Sequence, residues 1–106
     1  MIIYNTTFFV DPTIEEEWLA WLQNEQIANY LEKNHFSKGV LAKVTSHEQE
    51  DAVSYAMQLF CENQEKLMQF RKDILPYLQT ESLKKFGTKV LSFETEMLHI
   101  KDFESN

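Results

Sequence analysis

Scarcity shapes this sequence before any motif does. A single arginine, Arg71, and a net charge of −7 leave no basic patch for a phosphate backbone, so nucleic acid is not expected as a partner. A single cysteine, Cys61, forbids an internal disulfide and a Cys-x-x-Cys metal loop, and within an apolar run it reads as a small buried hydrophobe. No apolar run approaches the roughly 20 residues that span a bilayer, and the opening MIIYNTTFFV has neither a basic start nor a long apolar segment. Membrane association is not expected, and the expected location is the cytoplasm. Glycine and proline occur twice each, so every one of them punctuates the chain.

Core-forming material is what the chain does contain. Its 106 residues are 43% hydrophobic and include eight Phe, four Tyr and two Trp, enough for one folded domain and too few for two. We expect that domain over residues 1–102, with a flexible tail at 103–106.

The run AVSYAMQLFCEN, residues 52–63, is the strand around which the rest is arranged. Val53, Tyr55, Met57, Leu59 and Cys61 alternate onto a core face, and Ser54, Gln58 and Phe60 point the other way. Residues 2–10 form a second strand with Ile2, Tyr4, Thr6, Phe8 and Val10 toward the core, which leaves Asn5 and Thr7 beside Gln58 on the opposite face. Asp11-Pro12-Thr13 opens a helix: Asp or Thr caps it, Thr13 and Glu16 match a capping box, and Glu15-Glu16-Glu17 sit at the positive end of its dipole. Ile14, Trp18, Trp21 and Leu22 form one stripe, but Ile27, Tyr30 and Leu31 fall opposite at 3.6 residues per turn, which predicts a break near residues 24–26 or, as the alternative, burial of the second half against a partner subunit.

Residues 36–46 read as a strand containing Gly39, joined by the polar loop 47–51 to the central strand. Asn63 caps a second helix over Leu67, Phe70, Ile74 and Leu78, with a kink or restart at Pro76 that turns Leu83 and Phe86 back onto the sheet, and a stop at Gly87. In the last strand, residues 89–101, Leu91, Phe93, Thr95 and Met97 are the expected core face, with Ser92, Glu94 and Glu96 opposite. Strand, helix, strand, strand, helix, strand is the ferredoxin-like βαββαβ sandwich, an α+β fold with an antiparallel sheet and both helices on one face. The bare face is too wide to stay uncovered, so a homodimer that pairs two such faces is expected.

MIIYN, IEEEWLAW and SYAMQLFCEN together resemble an uncharacterised bacterial family, a domain of unknown function found mostly in Bacteroidetes and grouped with the dimeric α+β barrel proteins. The resemblance implies a ferredoxin-like protomer and a homodimer. It brings no activity, cofactor or catalytic residue.

The residues themselves point to no catalytic constellation, no cofactor and no metal. His47, Glu48, Glu50 and Asp51 are read as a solvated loop, and Trp18 and Trp21 as core. Glu94 and Glu96, about 7 Å apart along one strand face, are the best acid/base candidates, although a pair of solvated edge carboxylates that discourages aggregation explains them better. For a ligand, the expected polar contacts are Asn5, Gln58, Glu94 and Glu96 on the open face. Two classes of function stay open: a homodimeric binding or regulatory module that takes up a small molecule or a protein partner, and, ranked below it, a cofactor-independent enzyme.

Overall fold

The structure, a computed structural model, describes residues 1–46 and 51–105. Strands β1 (Ile2–Val10), β2 (Lys38–Val44), β3 (Val53–Cys61) and β4 (Val90–Leu98) form one antiparallel sheet in the order β2-β3-β1-β4. Alternation of buried and half-buried residues, strict along β1 and unbroken from Ser54 onward in β3, fixes their register, because a slip of one residue would turn both apolar sets to the wrong side. Asn5 therefore lies opposite Gln58 and Tyr4 opposite Leu59.

The helical layer covers one face of this sheet, completing the ferredoxin-like βαββαβ fold. Asp11 caps its first turn by accepting hydrogen bonds from the amide and hydroxyl of Thr13, so Asp11 rather than Thr13 is the cap. Helix α1 (Glu15–Trp21) and helix α2 (Ile27–Tyr30) are joined without a break by a π-helical turn over Leu22–Gln26. That wider turn absorbs the change of phase in the sequence. Trp18, Leu22, Gln26 and Tyr30, four residues apart, all become buried on one side. The expected break at 24–26 is thus a continuous helix with one widened turn.

Helix α3 (Gln64–Asp73) begins at Asn63, whose side chain accepts from the Lys66 amide, and α4 (Leu75–Phe86) restarts at Pro76. Phe86 turns inward and meets Trp21 at 5.4 Å, whereas Leu83 remains exposed, contrary to its expected return to the sheet. Gly87, at φ +60°, ends the helix in a backbone conformation that other residues resist. Two aromatic groups fill the core. Trp18 lies 5.1 Å from both Phe8 and Tyr55, and Phe70 gathers Tyr4, Tyr30 and Phe36 around it.

The last strand reverses the expected assignment. Glu94 lies opposite Thr6 and Glu96 opposite Tyr4, which places both carboxylates on the helix side, while Leu91, Phe93, Thr95 and Met97 share the open face with Asn5 and Thr7. The apolar set of β4 belongs to the face that the helices leave bare. As an edge strand, β4 reaches beyond the helical layer, so its helix-side positions meet solvent and tolerate charge.

Candidate functional site

The helix side of β1 and β4 carries the most concentrated polar chemistry in the fold. Thr6, Ser92 and Glu94 from the sheet, Gln26 and Tyr30 from the first helical segment, and Gln79 and Ser82 from α4 line a cleft of about 30 Å³, walled by Phe8, Trp18 and Trp21. A volume of that size holds a water molecule or two. Gln26 is held rigidly: its amide nitrogen donates to the Leu78 carbonyl at 3.3 Å and its oxygen accepts from Asn29 at 3.0 Å.

Beside this cleft Tyr4 is wholly buried, and its hydroxyl has no hydrogen-bond partner that meets normal geometry. Burial, then the Glu94 carboxylate, pushes the Tyr4 phenol far above its usual range, with Arg71 pulling weakly the other way. Burial and Glu94 also raise the Tyr30 phenol. Both phenols are therefore protonated at any physiological pH.

Arg71 lies 5.4 Å from the centre of the Tyr4 ring and ion-pairs with Glu96, which also accepts from Gln64 at 3.3 Å. Glu94 forms no ion pair among the described residues. The two carboxylates thus differ: Glu96 is neutralised and Glu94 is not.

The open face separates the four residues expected to act together. Asn5 and Gln58 are register partners there, half-buried, with the Asn5 amide donating to Thr7 at 3.2 Å. Glu94 and Glu96 stand on the other side of the sheet, so no site joins all four. Tyr4, Thr6, Gln26 and Tyr30 escaped the sequence reading as polar contacts because each sits in an apolar pattern. Gln26 alone left a signal, an amide at a buried helical spacing.

Elsewhere, His35 is buried with an unpartnered Nδ1, and His99 pairs with Asp102 at 2.8 Å. His47, Glu48 and Glu50 lie outside the described residues, among which no three metal-binding side chains gather. Nor does any described helix have the length and apolarity to cross a membrane.

Residues 1–100 match the model of a family described as "Domain of unknown function (DUF4286)". No curated protein matches the sequence. Among solved structures the chain is similar to a dimeric ferredoxin-like protein from an uncultured marine organism, at 11% identity and a TM-score of 0.68 over 96% of this chain and 97% of that one. HapK from Hahella chejuensis gives 10% identity and a TM-score of 0.68 over 100% and 99% of the two chains. SnoaB, a cofactor-independent oxygenase from Streptomyces nogalater, gives 10% and 0.67 over 98% of each. At such identities the likeness is one of fold.

Proposed function

The chain belongs to the DUF4286 family, whose description carries no activity, and we propose that it works as a homodimeric module that binds a small molecule, two copies pairing through the open faces of their sheets. The observation that carries this reading is the distribution of charge. Of the paired strand residues on the open face only Lys38 is charged, and none of the protein's 17 carboxylates is among them. In place of charge the face presents Ile3, Phe9, Val40, Phe60, Leu91 and Phe93, with Leu91 51% and Phe93 60% exposed. Depletion of charge with aromatic enrichment is the composition of an interface centre.

Area agrees with composition. Four strands, three of them nine residues long, span roughly 19 Å by 30 Å, which approaches the ~800 Å² that each partner contributes to a stable interface. A solved structure of the same fold is itself described as dimeric.

In such a dimer Asn5, Thr7 and Gln58 form a polar island near the middle of the interface. An amide left dry and unpaired there costs about 1 to 3 kcal/mol, so these groups pair across the interface or hold a ligand between the sheets. The lone buried cysteine suits the same reading in the cytoplasm. A cofactor-independent enzyme is the second reading, supported by Glu94 as an available base in the helix-side cleft, but about 30 Å³ admits only a few atoms. The test is thermal denaturation at a series of protein concentrations. A dimer melts higher as concentration rises, and a midpoint independent of concentration would speak for a folded monomer.

A further inference from the structure

Leu98, Ile100 and Phe103 are 71%, 85% and 86% exposed, the highest values for large apolar side chains among the described residues. They follow one another where β4 ends, in a stretch that the chain's own core leaves bare. At the opposite edge of the sheet an apolar groove of about 200 Å³ lies between β2 and the first helical segment, walled by Leu22, Ile27, Leu31, Leu41 and Met57. Gln23 has the only polar side chain in its lining. Because β2 is an edge strand, alternate amides and carbonyls along it have no strand beyond them.

We propose that in the dimer residues 99–105 of one copy dock into this groove of the other, with the Phe103 ring as the anchor. The docking rests on the sheet-face pairing above and fixes its orientation. Leu98 lies opposite Ile2, Ile2 opposite Cys61 and Lys38 opposite Phe60, so β4 finishes at the end of the sheet where β2 starts. Within one chain the two are three strand spacings apart, roughly 14 Å. When two sheets pair about a twofold axis parallel to their strands, β4 of one copy lies over β2 of the other with those ends together. The separation is then the ~10 Å between stacked sheets. From Leu98 to Phe103 an extended chain spans up to about 17 Å, enough to cross that gap and enter the groove past the edge of β2. An axis across the strands would stack β4 on β4 and leave the groove out of reach.

Charge favours the same contact. Phe103 is flanked by Asp102 and Glu104, whereas residues 33–46, which include β2, carry Lys33, Lys38 and Lys43 and no carboxylate. Lys33 and Lys38 form no ion pair among the described residues. Glu25 and Glu32 belong to the helical side of the groove, so the acidic flanks of Phe103 are expected toward β2.

The experiment is an isotope-filtered NOE measurement on a mixture of ¹³C-labelled and unlabelled protein, which reports contacts between copies. Cross-peaks are expected from the Phe103 ring of one copy to the Leu31 and Leu41 methyls of the other. Phe103→Ala should raise the dimer dissociation constant about tenfold or more, read by sedimentation. Leu83→Ala, exposed on α4 outside the groove, should change neither readout. A dimer without these cross-peaks, or a Phe103→Ala variant that pairs as tightly as the wild type, would overturn the docking and leave the sheet-face pairing standing. A wild type that sediments as a monomer would overturn both.

Discussion

Glu15 accepts a hydrogen bond of 2.5 Å from the Tyr55 hydroxyl and ion-pairs with Lys43 at 2.9 Å, tying the first helix to β2 and β3. Tyr55 first and Lys43 second hold its carboxyl below the ordinary range, so its stabilisation is present above that range and fades as pH falls through the lowered value. Tyr55 moves the opposite way, from 10.0 up to about 12, chiefly by burial and then by Glu15. A raised phenol stabilises the fold fully below pH 10 and loses that contribution between pH 10 and about 12. Melting temperatures measured across that window should fall, and fall less steeply in Tyr55→Phe. At neutral pH that variant should cost about 1 kcal/mol by urea denaturation, since Glu15 and Lys43 keep contact with solvent. From sequence, Glu15 was legible only as a charge suited to a helix start. Its partners, Lys43 and Tyr55, come from strands 28 and 40 residues away in the chain, which no local pattern reveals.

Helix phase and strand polarity are where elements depart from their sequence patterns, and both departures have physical causes. The change of stripe between Leu22 and Ile27 was visible, and a π-helical turn resolves it by carrying one extra residue without ending the helix. Deleting Asn24, an exposed residue in that turn, should rotate Tyr30 away from Phe70 and cost about 3 kcal/mol or more, whereas Asn24→Ala should stay within about 0.5 kcal/mol. Equal denaturation midpoints for the two variants would mean that the turn is not setting the phase. The alternation of β1 and β3 was read correctly because one face of each is plainly more apolar. That of β4 was inverted because Leu91 and Phe93 follow the same rule for a different reason, facing the bare side of the sheet. Consequently Asn5 and Gln58 were placed correctly and Glu94 and Glu96 were not.

At the scale of the molecule, the proposed dimer accounts for an acidic chain whose paired strand residues place no carboxylate on one broad face. Phe93 is central to this account. It is 60% exposed in the single chain and meets Phe9 edge-on at 5.6 Å, so replacing it should leave the protomer folded. Phe93→Glu puts one carboxylate on each of two apposed faces, where burial without a cation costs several kcal/mol and like charges repel. The measurement is sedimentation equilibrium at micromolar concentration on the wild type and on Phe93→Glu. The account predicts twice the 12.6 kDa chain mass for the wild type and a single chain mass for a variant that still melts cooperatively. A wild type that sediments as one 12.6 kDa chain, or a Phe93→Glu variant that sediments as two, would contradict pairing through the open face.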